Sequence, residues 1–276
     1  MSAIIAQVAG RQIRLTNLTK VMYPRLGITK SQVIDYYATV GPALIRQTQG
    51  RPVTRIRFPH GVGQQSFFEK NAPEGMPDWV PTMLVNSIKY PVYNEVPALV
   101  WSAQNNGLEL HTPQWRDLGK ADRMVVDLDP GVGTGLPECC SVALLVDEYL
   151  RTDGLTAYAV TSGSKGMQLY VPFPEPMDSE AVMGYARAMA MELSNKHGDR
   201  IVATMTKARR THRVFIDWSQ NNAAKTTITP YSLRGKDLPF AATPVTWDEV
   251  RSGLTEQFLF TETMARLQEY GDLLSD

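Results

Sequence analysis

The chain has 276 residues, of which 43% are hydrophobic and 20% are charged, and its 28 basic residues balance its 28 acidic ones. This composition is typical of a folded globular protein and excludes a disordered, collagen-like or disulfide-stapled chain. The balanced charge argues against a general coat for polyanions, so contacts with such partners are expected only from local basic clusters. No apolar run reaches 18 residues, the first residues lack a signal-peptide pattern, and the only two cysteines are adjacent. These features predict a protein of a reducing cytosol with no membrane partner.

The first half of the chain shows one clear helix among short strands and turns. Residues 1–28 are predicted as a strand and turns, and Thr29 is predicted to cap the helix that follows, because apolar residues then recur at helical spacing. Residues 51–120 are rich in proline and in short strand-like pieces such as Ala98–Trp101.

From residue 121 the pattern becomes regular. The predicted strands are Met124–Asp129, Thr156–Thr161, Met167–Pro172 and Arg213–Trp218, and the predicted helices span 138–150 and begin near Ser179. No flexible linker separates these pieces, which predicts one continuous domain over 1–276. Hairpins mixed with helices favour an α+β fold over a doubly wound sheet.

Three acidic residues are candidates for metal binding. Asp127 and Asp129 end one predicted strand, and side chains alternate on a strand, so both carboxylates are expected on the same face. Two adjacent carboxylates repel unless a cation or a shared proton relieves them, and hard oxygen ligands suit Mg²⁺ or Mn²⁺. Asp217, at the end of another strand, is the natural third ligand. The alternatives are that the first two cap loop amides and that the third pairs with an arginine.

Two glycine-rich loops follow strands. Thr161–Gly166, with the sequence TSGSKG, offers glycines, two hydroxyls and Lys165 to an anion; the alternative is an ordinary hairpin turn. It is not a Walker loop, because the GxxxxGK[ST] spacing is absent. Gly131–Gly135 has the wrong glycine spacing for a dinucleotide-binding fingerprint, so it is interpreted as a loop that ends the preceding strand.

Other candidate residues are aromatic or basic. Phe67 and Phe68, followed by Lys70, could stack on bases, although adjacent phenylalanines are more often core residues. The basic run 207–213 is either a solvated surface loop or an anion contact. The four histidines have no metal-ligand spacing, so a structural zinc is not expected. Three acids, a phosphate-type loop and basic loops together suggest phosphoryl or nucleotidyl transfer, with two metals stabilising the attacking and leaving oxygens.

Several ordered blocks of the chain form a recognisable set: FFEK at 67–70, HTPQWR at 111–116, DLDPG at 127–131, TSGSKG at 161–166, VFIDWSQ at 214–220 and KTTITPYSLRG at 225–235. In these blocks the chain resembles a known family, the polymerase domain of bacterial ligase D within the archaeo-eukaryotic primase superfamily. The resemblance extends from Leu15–Lys20 to about Trp247.

The resemblance implies a primase-type catalytic core with an RRM-like mixed or antiparallel sheet flanked by helices. It implies that 1–120 carries DNA-end contacts, that 121–240 is the catalytic core and that 241–276 is a helical tail. The implied activity is template-directed addition of nucleotides, preferably ribonucleotides, at DNA gaps or broken ends in non-homologous end joining. The implied partners are DNA with a 5′-phosphorylated gap or end, nucleoside triphosphates, Ku and a DNA ligase, in the bacterial cytosol or nucleoid.

The resemblance also implies roles for individual residues. The implied catalytic and metal ligands, for a two-metal site holding Mn²⁺ or Mg²⁺, are Asp127, Asp129 and Asp217. The implied nucleotide-binding residues are Ser162, Lys165, Gln168, Lys225, Arg234 and His111. The implied DNA contacts are Asn17, Lys20 and Lys30 at a 5′-phosphate, Phe67, Phe68 and Lys70 at the template, and Arg210 in the loop that positions the primer terminus.

The chain departs from the family motif at one position, where Gln168 replaces a histidine that meets the nucleotide. Glutamine keeps a hydrogen-bond donor but is never cationic, which predicts weaker binding of the triphosphate. The alternative function is therefore a DNA-end binding or bridging module with weakened catalysis. A third reading, a DxD glycosyltransferase, is disfavoured because a third acid stands on a separate strand beside a basic loop.

Overall fold

The computed structural model describes residues 3–275, which divide into two compact units made of discontinuous segments. The first unit comprises residues 3–112, 228–241 and 259–271, and the second comprises 113–227, 242–258 and 272–275. The organisation as one continuous domain over 1–276 stays a prediction.

The first unit combines short strands with four helices among the described residues. Numbered in chain order, its elements are β1 Ile4–Val8, β2 Arg11–Leu15, β3 Val21–Tyr23, β4 Ile28–Thr29, α1 Lys30–Thr39, α2 Gly41–Thr48, β5 Thr54–Arg57, β6 Phe67–Glu69, β7 Thr82–Val85, β8 Ile88–Pro91, α3 Val96–Gln104, β9 Gly107–Thr112 and α7 Phe260–Tyr270. Its largest sheet has the order β16-β9-β5-β6, where β16 is Thr227–Ile228, so β6 is an edge strand.

The helix predicted after Thr29 is confirmed as α1. Gln32 accepts a hydrogen bond from the Thr29 N–H at 2.9 Å, which is one half of a capping box. Val33, Tyr36 and Tyr37 are almost fully buried, as their spacing predicts.

The prediction of a strand-like piece at Ala98–Trp101 is wrong, because these residues lie inside α3. Every residue from Pro97 to Ala103 is buried, including Ser102, so no exposed position marks a helical period. The helix begins with Glu95 as its N-cap and Pro97 in its first turn, where the missing N–H costs nothing. A short, wholly apolar run is ambiguous between strand and helix, and here the proline is the decisive signal.

The second unit is built on a larger mixed sheet. Its elements are β10 Trp115–Asp117, β11 Lys120–Pro130, α4 Leu136–Thr152, β12 Tyr158–Thr161, β13 Met167–Asp178, α5 Ser179–Lys196, β14 Ile201–Val202, a 3-10 helix Lys207–Arg210, β15 Val214–Asp217, a 3-10 helix Trp218–Asn221, β17 Thr243–Val245 and α6 Trp247–Ser252. The strands follow the order β14-β15-β11-β13-β12-β17, with β10 also pairing with β11, and within residues 3–275 β14 and β15 are the one parallel pair of this sheet.

The central part of this sheet has the topology expected of an RRM-like core. Chain order β11-α4-β12-β13-α5-β15 is a β-α-β-β-α-β unit, and the spatial order of its strands is β15-β11-β13-β12. The α+β fold with an RRM-like, mostly antiparallel sheet is therefore confirmed. The predicted strands at 124–129, 156–161, 167–172 and 213–218 and both helices are present, with ends shifted by a few residues.

The two faces of this sheet differ in chemistry. Met124, Val126 and Leu128 of β11 are buried in a core to which α4 and α5 contribute. Asp127 and Asp129 have the opposite parity and therefore face away from these helices. The same alternation buries Met167, Leu169, Val214 and Ile216 in the core and leaves Gln168, Phe215 and Asp217 on the other face. One face of the sheet thus supplies packing and the other supplies polar side chains.

The predicted helical tail at 241–276 is only partly helical. It contains α6 and α7, but Thr243–Val245 forms β17, which pairs antiparallel with β12 at the edge of the sheet. The chain returns here to complete the sheet before it turns into a helix. Over residues 3–275, no helix combines the length and apolar character needed to cross a bilayer.

Candidate functional site

The three acidic side chains predicted to act together are brought together at the polar face of the sheet. β11 and β15 are neighbours, and Asp127 lies directly opposite Asp217 in their antiparallel register. Asp129, two residues further along β11, lies on the same face. One carboxylate oxygen from each of the three residues lies within 4.8 Å of the others. This spacing allows a single divalent ion to contact all three side chains.

The electrostatics of this cluster favour a bound cation. The pKa of the Asp129 carboxyl is raised, first by desolvation of the carboxylate and then by the negative charge of Asp217, while Arg210 opposes the rise. Asp217 is only 8% exposed, so its charge is poorly screened by water. Three hard oxygen donors that repel one another fit a divalent ion such as Mg²⁺ or Mn²⁺.

Asp217 is held by neighbours just beyond its strand, and no arginine pairs with it among residues 3–275. Its Oδ1 accepts hydrogen bonds from the Ser219 N–H at 3.1 Å and the Ser219 hydroxyl at 2.5 Å, and its Oδ2 accepts from Gln220 Nε2 at 2.8 Å. Lys225 Nζ donates to Ser219 Oγ at 2.5 Å. Lys225, predicted to bind nucleotide, therefore also supports the acidic cluster through Ser219.

Gln168 contacts the acidic cluster directly. It lies opposite Asp127 in the register of β11 and β13, is 4% exposed, and its Nε2 donates to Asp127 Oδ1 at 2.9 Å. Its Oε1 accepts a hydrogen bond from the Tyr170 hydroxyl at 2.9 Å. Both ends of the amide are thus engaged by the protein itself.

The TSGSKG loop forms the hairpin turn between β12 and β13 and is internally hydrogen-bonded. Ser162 Oγ accepts from the N–H groups of Ser164 and Gly166, each at 3.2 Å. Gln257 clasps the loop: its Oε1 accepts from the Gly163 N–H at 2.7 Å and its Nε2 donates to the Gly166 carbonyl at 3.0 Å. The sequence offered no signal for Gln257, because it lies about ninety residues away. Most of the loop N–H groups are therefore occupied within the fold.

The position of the loop beside the acidic strand requires glycine at 166. A Cβ atom there would lie 1.9 Å from the carbonyl oxygen of Leu128, the residue between the two aspartates of β11. Lys165, next to it, has an exposed side chain and no ion-pair partner among residues 3–275. The loop thus holds one uncompensated positive charge close to the strand that carries the acids.

The basic run 207–213 lies beside the same cluster. The guanidinium of Arg210 stacks on the ring of Phe215, 3.6 Å from its centroid, and donates to the Met205 carbonyl at 3.1 Å. Phe215 is the partner of Asp129 in the β11–β15 register. Gly131 allows this close approach, because a Cβ atom there would lie 1.8 Å from the Arg210 carbonyl oxygen. The run is therefore an exposed loop with one arginine anchored next to the acids.

In the first unit, Lys20 and Lys30 place two ammonium groups near one another. Lys30 is 3% exposed, and its Nζ donates to the Gln104 carbonyl at 2.9 Å. Burial, and secondly the charge of Lys20, lower the pKa of Lys30 from 10.5 to about 8. Lys20 Nζ donates to the Pro59 carbonyl. Within the described part of the chain neither amine meets a carboxylate, so the pair is suited to an anion.

Asn17, the third residue predicted for the same phosphate, precedes these lysines in an exposed turn. Its φ of 54° lies in the left-handed region, which asparagine tolerates better than most residues. Its carbonyl accepts the Lys20 N–H at 3.0 Å, so the turn fixes the backbone of Lys20. Its side chain is exposed.

Phe67 and Phe68 are not core residues, because 43% and 58% of their surfaces are exposed. They are consecutive residues of the edge strand β6 and therefore point to opposite faces of it. Lys70 Nζ lies 5.7 Å from the Phe68 ring centroid. Glu69 between them pairs with Arg55 at 2.8 Å and Arg57 at 2.5 Å on β5. The aromatic pair is thus displayed on a strand that an ionic clamp holds in place.

His111 and Arg234 converge on a carboxylate that the sequence did not single out. Glu109 Oε2 lies 2.9 Å from His111 Nε2 and 3.5 Å from Arg234 NH1, and Glu109 Oε1 accepts from the Gly235 N–H at 2.9 Å. Burial of Glu109 favours its neutral form, but the bond with His111 and the charge of Arg234 outweigh it, so the pKa of Glu109 is lowered. Glu109 therefore orients both predicted nucleotide contacts.

The chain is similar over most of its length to one group of proteins. A family model described as LigD, primase-polymerase domain, matches residues 29–274. The Multifunctional non-homologous end joining protein LigD of Mycolicibacterium smegmatis is 45% identical over 272 residues, covering 96% of this chain and 36% of that protein. The Multifunctional non-homologous end joining DNA repair protein LigD of Mycobacterium tuberculosis is 41% identical over 278 residues, covering 96% of this chain and 37% of that protein.

A solved structure shares the fold. The Polymerase Domain from Mycobacterium tuberculosis Ligase D in complex with DNA aligns with a TM-score of 0.92 at 41% identity, covering 95% of this chain and 96% of that one. The chain spans little more than a third of the length of the two LigD proteins that it matches.

Proposed function

The chain belongs to the LigD primase-polymerase family, and we propose that it is a template-directed nucleotidyltransferase that adds nucleotides, preferably ribonucleotides, at DNA gaps or broken ends. The proposed setting is non-homologous end joining in the bacterial cytosol or nucleoid. Nucleoside triphosphates, DNA with a 5′-phosphorylated gap or end, Ku and a DNA ligase are the proposed substrates and partners.

The observation that carries this proposal is the carboxylate cluster of Asp127, Asp129 and Asp217. Their oxygen atoms lie within 4.8 Å of one another on two adjacent strands, and the mutual repulsion of like charges makes the cluster a fitting holder for divalent ions. Mg²⁺ or Mn²⁺ bound there would stabilise the charge on the attacking and leaving oxygens of phosphoryl transfer. Ser219 and Gln220 keep the Asp217 carboxylate oriented through three hydrogen bonds.

We assign the positive groups around this cluster to the incoming triphosphate and the primer. Lys165 on its exposed turn offers a mobile cation to the phosphates, with Ser162 beside it and Lys225 as a second cation. Arg210, held on Phe215, is proposed to meet the primer strand. In the first unit, His111 and Arg234 are proposed to bind nucleotide, because Glu109 fixes both and each retains hydrogen-bond donors.

The DNA end is assigned to the first unit. Lys20 and Lys30 are proposed to bind a 5′-phosphate, because a bound anion would stabilise two neighbouring amines that contact no carboxylate. Asn17 adds a side-chain amide to this proposed site. Phe67 and Phe68, with Lys70, are proposed to stack on template bases, since exposed aromatic side chains beside a cation suit unpaired strands.

A gap-filling assay with purified chain tests this function. The DNA carries a 5′-phosphate at the gap, and ribo- and deoxyribonucleotides are supplied with Mg²⁺ or Mn²⁺. Wild-type chain should extend the primer according to the template, and Asp127→Ala should lose at least about 10³-fold in rate, since it removes a metal ligand. Asp199→Ala, which removes an exposed acid outside the cluster, is the matched control.

The same experiment separates catalysis from the alternative, a DNA-end binding module. Binding of the gapped DNA is measured by fluorescence anisotropy for each variant. An Asp127→Ala variant that still binds the DNA end but no longer extends primers supports the enzymatic function. An Asp127→Ala variant that extends primers as fast as wild type would refute it, and wild-type chain that binds ends but never extends them would favour the binding module.

A further inference from the structure

A line of buried polar side chains leads away from Asp127 across the second unit. Its members are 3–5% exposed, which is unusual for polar groups unless each has a partner. In order from the acidic cluster they are Gln168, Tyr170, Thr227, Gln114 and Arg123.

The hydrogen bonds along this line all run in one direction. Arg123 Nε donates to Gln114 Oε1 at 2.7 Å, and Gln114 Nε2 donates to Thr227 Oγ1 at 2.8 Å. Thr227 Oγ1 lies 3.4 Å from the Tyr170 hydroxyl, whose own proton is given to Gln168 Oε1 at 2.9 Å. Thr227 is therefore the donor in that longer contact.

This direction decides which way the Gln168 amide points. With Oε1 accepting from Tyr170, only the NH₂ group can face Asp127, and it donates to Oδ1 at 2.9 Å. The reverse orientation would set a carbonyl oxygen against the carboxylate and leave the Tyr170 proton facing an N–H group. The guanidinium of Arg123, 4.9 Å from the Tyr170 ring centroid, supports the line from its far end.

We propose that Gln168 is a positioning residue for the metal ligand Asp127, and that Tyr170 acts through Gln168 by fixing the direction of its amide. The bond at Oδ1 restricts rotation of the Asp127 carboxylate, so the carboxylate is oriented before any cation arrives. This inference rests on the proposed function, in which Asp127 holds a divalent ion. In this proposal the Gln168 amide acts on Asp127, whereas the sequence alone predicts a contact with the triphosphate.

The chemistry of glutamine suits this task. An amide carries one donor end and one acceptor end at every pH, so it satisfies Tyr170 and Asp127 together. A histidine meets both partners only as one neutral tautomer, because the imidazolium has no acceptor for the Tyr170 proton. Glutamine at position 168 therefore keeps the orientation of Asp127 independent of the protonation state of this side chain.

The test measures Mn²⁺ affinity by calorimetry on the full chain, beside its melting temperature and its gap-filling rate. Gln168→Leu, which removes both bonds at similar volume, should weaken Mn²⁺ binding about fivefold to tenfold, and Tyr170→Phe about twofold to fivefold, the range that one hydrogen bond typically contributes. The control is Tyr149→Phe, which removes a hydroxyl of α4 that is hydrogen-bonded to Glu192 of α5. It should leave Mn²⁺ affinity unchanged.

A double-mutant cycle identifies the route. If Tyr170 acts only through Gln168, the double variant should bind Mn²⁺ as weakly as Gln168→Leu alone, so the two losses must not add. Fully additive losses, or wild-type affinity in Tyr170→Phe, would overturn the proposal. Tyr170→Phe removes one hydroxyl group, so it decides the question alone if Gln168→Leu does not fold.

Asp127→Ala separates this proposal from the proposed function. If Asp127→Ala binds Mn²⁺ and extends primers like wild type, the metal site itself is wrong. If Asp127→Ala loses both and the Gln168 and Tyr170 variants lose neither, the metal site stands and only the positioning role fails.

Discussion

Lys30 should make recognition of a 5′-phosphate depend on pH in a range where DNA itself does not titrate. Burial, and then the charge of Lys20, lower the pKa of Lys30 to about 8 in the free protein. A bound phosphate would oppose both effects because its negative charge stabilises the ammonium form of Lys30, so the bound complex retains the proton. Because free protein must take up a proton to bind, affinity for the phosphate falls as pH rises through the free-state pKa.

The size of the effect follows from that pKa. At a pKa of about 8 the Lys30 amine is about nine-tenths charged at pH 7 and about one-tenth charged at pH 9. The terminal phosphate is already a dianion over this range, since its second pKa is about 6. Affinity for phosphorylated ends should therefore drop about tenfold between pH 7 and pH 9, which corresponds to about 1.4 kcal/mol.

Fluorescence anisotropy on gapped DNA measures this directly, with the 5′-hydroxyl form of the same DNA as reference. The ratio of the two affinities should fall about tenfold for wild type from pH 7 to pH 9. Lys30→Arg should show a flat ratio, because arginine stays charged throughout. A wild-type ratio that stays constant over this range, or equal binding of the two DNAs at pH 7, would refute the reasoning.

Three further substitutions should have distinct effects. Gly166→Ala should destabilise the fold by about 1–3 kcal/mol or more and abolish primer extension, because its Cβ would lie 1.9 Å from a main-chain carbonyl oxygen of β11. Thermal melts should show no such loss for the control Gly184→Ala in α5, where the space around the new Cβ is open. Phe68→Ala should weaken binding of single-stranded template by about 1–3 kcal/mol without changing the melting temperature, and unchanged anisotropy titrations would contradict stacking. Glu109→Gln should raise the KM for nucleotide and lower stability by about 1–3 kcal/mol at pH 7, since it leaves the half-buried Arg234 guanidinium without its ion pair. Wild type should lose this advantage as pH falls through the lowered pKa of Glu109, and a pH-independent difference in denaturant unfolding would contradict the ion pair.

Strand periodicity predicted which acidic side chains would lie together. The alternation of side chains in Met124–Asp129 placed Asp127 and Asp129 on one face, and the structure brings Asp217 to them across the adjacent strand. This was predictable because an apolar core on one face forces polar residues of opposite parity onto the other. Residue type and spacing sufficed for these three acids, because each lies at or near the end of a strand with a clear pattern.

The same periodicity could not decide a segment that is buried on all sides. Ala98–Trp101 has no polar position, so this short apolar run suggested a strand, whereas tertiary packing made it part of α3. Phe67 and Phe68 show the converse, because their exposure depends on the edge position of β6 and not on residue type.

Supporting residues were missed because their partners are distant in sequence. Gln257 clasps the TSGSKG loop about ninety residues away, and Glu109 meets Arg234 more than a hundred residues away. A single sequence contains no periodicity that relates such positions. The bond from Gln168 to Asp127 was missed for the same reason, since Asp127 lies forty-one residues earlier and becomes a neighbour only through the β11–β13 register.

The most direct test of the account counts bound Mn²⁺ by electron paramagnetic resonance in wild-type chain and in Asp217→Asn. Asparagine keeps an oxygen acceptor for Ser219 but removes the charge that completes the carboxylate cluster. Wild type should bind one or two ions per chain, and Asp217→Asn should bind at least about tenfold more weakly with its melting temperature retained. Equal Mn²⁺ binding by the two forms would show that the three aspartates are not the metal site. That result would contradict the observation on which the proposed nucleotidyl transfer rests.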